Sequence, residues 1–197
     1  GPEGDEDAAL TLIENECIET GTPLVISVVP QCRAGVLTAR YPYVTVSNIR
    51  TWKDYIYRAE DLRTLKGKKF HAKRNYINRF CTMYNGRWRY VPIDPAAHRD
   101  MLHAYTIQWG AARQGDGNQD DYESELRAID AALENYDALH MRGGILLVDE
   151  KIAAYTLAAV DMPGVIDVLF EKADTDIEGA YPMINQQFVQ HACGSYK

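Results

Sequence analysis

Residues 143–172 read GGILLVDEKIAAYTLAAVDMPGVIDVLFEK, and the fold turns on how this stretch is divided. Three apolar runs, 145–148, 152–160 and 165–172, are separated by Asp149-Glu150-Lys151 and by Met162-Pro163-Gly164. Parallel neighbours need a crossover of about a dozen residues or more, whereas antiparallel neighbours need only a tight turn. Both separators are tight, so the runs predict an antiparallel three-strand meander opening at Gly143-Gly144.

Upstream, residues 122–139 predict an amphipathic helix with Leu126, Ile129, Leu133 and Tyr136 on one face. That stripe reads as core. The polar run 114–121, with Gly115, Gly117, Asn118 and three aspartates, predicts a mobile loop. Before it come a helix over 96–113, a strand over 88–93 and a long helix over 66–84. Downstream, residues 180–193 predict a helix with Pro182 in its first turn, where a missing N–H is harmless. Ser195-Tyr196-Lys197 reads as the start of another strand, so the chain is expected to continue. From Trp88 the order is β, α, α, β, β, β, α, which is an α/β chain with an α+β mixed sheet.

The first quarter is less regular. Residues 5–20 predict a helix with Leu10, Ile13 and Cys17 at helical spacing, stopped by Gly21 with Pro23 beyond. Residues 24–29 predict a buried strand, Pro30 a turn, and 43–47 and 54–57 two short strands rich in Val, Ile and Tyr. This is too little for a complete domain and reads as the tail of something larger.

At 197 residues and 46% hydrophobic, the chain has a globular composition. No apolar run approaches the roughly 20 residues of a membrane-spanning helix, and no basic-then-apolar leader opens it. The cysteines, Cys17, Cys32, Cys81 and Cys193, show no C-x-x-C spacing and no His partners suited to zinc, so no metal site is expected. They read as reduced, mostly buried thiols, and the default compartment is cytoplasmic. Walker, zincin, Rossmann and nucleophile-elbow patterns are absent.

The net charge of −7 is unevenly spread: residues 58–79 hold eight Lys/Arg against Glu60 and Asp61. A local positive field in an acidic protein can hold an anion, though a solvated charged helix reads the same way. Projected at about 100° per residue, the 66–84 helix puts Phe70, Ile77, Cys81 and Tyr84 on one face and Lys68, His71, Asn75, Asn78 and Arg79 opposite. Lys73 and Arg74 flank the apolar face. Either their stems snorkel outward or they line an anion-holding cleft, with Arg74 as bidentate partner and Lys66, Lys68 and Lys69 as point charges. His71 reads as a surface histidine or a proton shuttle.

The order from Trp88 resembles the GNAT acyltransferases, in which a strand, two helices, a three-strand meander and a third helix build the acyl-donor cleft. More specific are Asp54-Tyr55-Ile56-Tyr57, the run 65–80 reading LKGKKFHAKRNYINRF, the run 170–181 reading FEKADTDIEGAY, and Ile184-Asn185-Gln186-Gln187-Phe188. These segments resemble a bacterial family related to the C-terminal domain of phosphatidylglycerol lysyltransferase, over essentially the whole chain. The resemblance implies a tandem GNAT-like pair, with residues 1–50 the C-terminal part of the first domain and 51–197 the second, lacking its last strands. Lysyltransferase relatives move an amino acid from aminoacyl-tRNA to a lipid headgroup, and Fem-type relatives move one to a cell-wall precursor peptide. It therefore implies an aminoacyltransferase with a tRNA acceptor end as co-substrate partner and an anionic phospholipid headgroup or peptide as acceptor.

On that resemblance, the end of the third meander strand is where donor and acceptor meet. Glu171 and Asp174 are the catalytic candidates, since acyl transfer to an amine or hydroxyl needs a base. A strand-end salt bridge explains Glu171 equally, and helix capping explains Asp174 to Glu178. Lys172, Asn75, Tyr181 and Asn185 complete the substrate-binding candidates, although Tyr181 and Asn185 could simply close the strand–helix junction. The loop before that last helix has one glycine, Gly179, preceded by four carboxylates within eight residues, a poor phosphate site. Acetyl-CoA is therefore a disfavoured donor, and no other cofactor is expected. An acyl-CoA-dependent N-acetyltransferase and a non-catalytic binding module of the same fold are the alternatives.

Overall fold

The computed structural model describes residues 5–27, 29–50, 53–112, 119–162 and 164–194. The chain divides into two compact units, Gly1–Ile56 and Tyr57–Lys197, where the sequence reading put a boundary at 50.

The first unit contains α1 (Glu6–Thr20) and α2 (Gln31–Arg40). Asp5 caps α1 by accepting the Ala8 N–H at 3.1 Å, and Gly21 ends it in the left-handed conformation expected of a helix stop. Polar ties join the helices: Arg40 meets Asp7 at 2.7 Å and Glu14 at 3.2 Å, and Tyr41 donates to Glu14. No residue of either helix is buried. The strands expected at 24–29, 43–47 and 54–57 do not form among the described residues, and a helix, α2, follows Pro30 instead of a turn. Val25, Val44, Val46, Tyr55 and Ile56 are exposed. β-branched and aromatic residues favour strands where a partner strand and a packed face exist, and among the described residues of this unit no strand forms to supply them.

The second unit is a four-stranded antiparallel sheet between two layers of helix. Its strands, β1 (Trp88–Pro92), β2 (Met141–Val148), β3 (Lys151–Met162) and β4 (Val165–Ala173), lie in sequence order. The meander forms as expected. Gly143 and Gly144, however, lie inside β2 instead of opening it, paired with Leu157 and Thr156. Strand alternation divides the core. Leu146, Val148, Ala154 and Ala173 face α4 (His71–Met83) and α7 (Ala180–Ala192), against Phe70, Ile77, Phe80, Met183 and Ile184. Ile145, Leu147, Tyr155 and Leu157 face the other way, against Leu102 of α5 (Pro95–Ala111) and Ile129 and Leu133 of α6 (Gln119–Glu134).

The helix expected over 66–84 forms, but starts late. A short helix, α3 (Ala59–Thr64), ends at Leu65 with φ 49°, Gly67 follows at φ 93°, a single 3-10 turn covers Lys68–Phe70, and only then does α4 begin. Leu65 is held in this left-handed conformation because its side chain is 2% exposed in the core. The α6 helix stops at Glu134, short of the expected 139. Of the expected loop 114–121, residues 114–118 lie outside the described residues, as does Ser195-Tyr196-Lys197. The four cysteines are free thiols, but only Cys193 is buried; Cys32 is exposed, and Cys17 and Cys81 are half-buried.

Candidate functional site

The end of β4 and the two helices on its face enclose a cleft of about 250 Å³. Ala72, Lys73 and Tyr76 line it from α4, Glu171 from β4, and Tyr181, Pro182 and Asn185 from α7. Gly179 makes this convergence possible. It precedes α7 at φ 86°, and a Cβ there would stand 2.6 Å from the Tyr76 carbonyl oxygen, so only glycine lets α7 start this close to α4.

Glu171 is the one carboxylate among the residues lining the cleft. Its position follows from strand alternation, which sends Glu171 to the α4/α7 face and Lys172 to the α5/α6 face. Its Oε2 accepts the Thr156 hydroxyl at 3.0 Å and the Asn185 amide at 3.4 Å. Burial pushes the carboxyl above the ordinary glutamate value, opposed by those two hydrogen bonds and by the Lys73 ammonium. A carboxyl so placed is a stronger base than a solvated one. Lys73 also lies 5.9 Å from the centroid of the Tyr57 ring.

Four of the sequence candidates therefore meet in one cleft: Lys73, Glu171, Tyr181 and Asn185. The others lie elsewhere. Arg74 donates to the Leu65 carbonyl and, at 2.8 Å, to that of Gly67, tying down the broken junction before α4. Lys66 and Lys68 are exposed, and Lys69 pairs with Asp61 at 2.8 Å. Asn75 faces His71 at 3.2 Å on the solvent side of α4. Lys172 is buried on the opposite face of the sheet. Asp174 accepts the Asp176 N–H at 2.9 Å, shaping the turn before α7, and Glu178 pairs with Arg79 at 2.8 Å. The positive wall is thus one lysine, and the carboxylate-rich loop is engaged in its own turn and in an ion pair.

Sequence reasoning missed Thr156, Tyr76 and Ala72. Thr156 carried a signal: it is the one aliphatic hydroxyl in the largely apolar run 152–160, and a fully buried polar group requires a partner. A larger hollow of about 330 Å³ lies in the first unit around Cys17, Ile18 and Leu24. Its one charged group, Glu14, is already held by Arg40 and Tyr41, so it offers no comparable chemistry. Among the described residues, no group of three His, Cys, Asp or Glu could hold a metal ion, and no helix is long and apolar enough to cross a membrane.

These features define an α+β protein with a cleft carrying a half-buried carboxylate and an ammonium at a strand end. The chain belongs to the family described as phosphatidylglycerol lysyltransferase, C-terminal, whose model matches residues 1–196. It is also similar to a crystal structure described as a conserved protein of unknown function from Bacteroides thetaiotaomicron VPI-5482, with 37% sequence identity and a TM-score of 0.75. That match covers 95% of this chain and 63% of the other, so the chain spans less than two thirds of that protein's length. No curated protein matches the chain.

Proposed function

We propose that the second unit is a GNAT-like acyltransferase domain whose cleft between α4, β4 and α7 passes an aminoacyl group from an ester donor to an amine or hydroxyl. The observation carrying this reading is Glu171: a half-buried carboxyl whose proton affinity is raised by burial, hydrogen-bonded by Thr156 and Asn185 and facing Lys73. The family supports a lysyltransferase-related activity. The element order from β1 to α7 supports the GNAT-like assignment. On this reading the first unit is the end of a preceding GNAT-like domain.

The chemistry balances on one proton. Glu171 removes it from the attacking N–H or O–H as the nucleophile bonds to the donor's carbonyl carbon. The tetrahedral intermediate then expels the ester oxygen, which receives the proton back from Glu171. Lys73 offsets the negative charge that develops in the cleft. The donor in this reading is aminoacyl-tRNA, and the acceptor is a lipid headgroup. Acetyl-CoA suits the cleft less, because the loop before α7 has one glycine and several carboxylates where a pyrophosphate would need N–H donors.

The test is transfer of labelled amino acid from a charged-tRNA pool into total lipid or peptide extract by the full-length protein. Label should enter one fraction and fall at least a hundredfold with Glu171→Gln. Transfer undiminished in that variant would sink the reading. No transfer, with thermal stabilisation by acetyl-CoA, would replace it with CoA-dependent acetylation.

A further inference from the structure

Lys172 is the one buried charged side chain among the described residues, 7% exposed, on the sheet face opposite the cleft. Its Nζ donates to Glu125 Oε1 of α6 at 2.6 Å and stands 4.2 Å from the centroid of the Trp109 ring of α5. Trp109 in turn donates its indole N–H to the carbonyl of the next residue, Ala173, at 2.9 Å. Burying an ammonium is costly, and an apolar residue of similar volume serves packing as well or better. The cation here therefore calls for a role other than stability.

We propose that Trp109 and Glu125 are positioning residues for Glu171, acting through Lys172 by locking the register of β4. The proposal rests on the acid–base reading of Glu171. β4 pairs with β3 through a register irregularity between Leu157 and Ala158, close to the residues in question. A one-residue slip of a strand sends every side chain to the opposite face. For β4, a slip in one direction brings the Lys172 ammonium into the cleft beside Lys73, and a slip in the other direction brings the Glu171 carboxylate onto Glu125 and the electron-rich face of Trp109. Both placements are repulsive, whereas the observed one satisfies both groups. Two pockets of opposite preference on opposite faces thus specify which of two adjacent residues reaches the cleft.

The experiment is a carbon-13 NMR titration of the Glu171 carboxyl in full-length protein labelled at glutamate, assigned by its loss in Glu171→Gln. The ionisable groups facing this carboxyl are Lys73 and Tyr76 from α4 and Tyr181 from α7, and all remain in the variants tested. In Lys172→Met, which keeps the volume, the protein should stay cooperatively folded while the Glu171 resonance broadens or moves to the ordinary glutamate midpoint. Glu125→Gln should shift it the same way by a smaller amount, which keeps the test open if Lys172→Met fails to fold. A wild-type titration in either folded variant overturns the positioning role. An altered titration in Lys172→Met together with full transfer activity in Glu171→Gln would instead remove the acid–base reading and leave the register lock standing.

Discussion

Thr156 and Glu171 are direct partners across the β3–β4 ladder, and the threonine hydroxyl donates to Glu171 Oε2 at 3.0 Å. Thr156 is completely buried, so this bond is both the reason a hydroxyl is tolerated within β3 and the main support of the cleft carboxylate. Thr156→Val keeps the shape and removes the donor. A buried acceptor losing a partner costs about 1–3 kcal/mol, and the loss should be larger at high pH, where Glu171 is ionised. Urea midpoints of the variant at two pH values check this, and a loss independent of pH would refute it.

Glu171 should also be a stability liability in its own right. Its folded-state pKa is raised by burial, so between the ordinary glutamate value and the raised one the native state holds more proton than the unfolded chain. Stability from this group is fully present below the unfolded value and is lost as pH rises through the folded value. Glu171→Gln abolishes that slope. Melting curves of the two proteins from about pH 4 to about pH 8 should diverge in favour of the variant; parallel curves would contradict the assignment.

Neighbouring cations on α4 should separate cleanly by readout. Arg74→Met strips the donors from the Leu65 and Gly67 carbonyls and should cost about 1.5–3 kcal/mol of folding stability, the range for hydrogen bonds to charged groups. Lys73→Met, at the cleft, should leave the urea midpoint nearly unchanged and reduce transfer. Equal destabilisation by both would mean Lys73 is structural as well.

The two glycines within β2 should differ in how they respond to alanine. A Cβ at Gly144 would lie 2.1 Å from the Tyr90 hydroxyl, whereas one at Gly143 would lie 2.6 Å from the Ile93 methyl and 2.9 Å from the Thr156 carbonyl oxygen. Overpacking of this kind costs about 1–3 kcal/mol. Tyr90→Leu should recover part of the Gly144→Ala loss. No such rescue is expected for Gly143→Ala, because β3 backbone stands in the way. Chemical denaturation of the single and double variants decides the matter.

Much of the second unit was legible because its local signals are strong. The short apolar runs within 145–172 are joined by separators too tight for a crossover, and the stripe at Leu126, Ile129 and Leu133 has helical spacing. The first unit misled for the complementary reason. Its Val, Ile and Tyr content suggests strands, but strand formation needs a partner that a short segment cannot supply, and α2 has Pro30 before it and Gly35 within it, both of which read as turn signals. In the cleft, Lys73, Glu171, Tyr181 and Asn185 were visible as residue types. Arg74 next to Lys73 illustrates the limit: a helical projection assumes an unbroken helix, while the break at Leu65 and Gly67 leaves carbonyls that capture the guanidinium.

By itself, the sequence determined the antiparallel meander, the order of elements from Trp88 onward, the family resemblance and the alternation that separates Glu171 from Lys172, since each depends on neighbours a few residues apart. Only the tertiary structure decided which basic side chain lies beside the carboxylate, that Thr156 and Asn185 hold it, and that Trp109 and Glu125 receive Lys172. Those contacts join residues from 14 to 98 positions apart. Such distances are closed by packing of whole elements, and no local pattern encodes which polar groups are left facing one another.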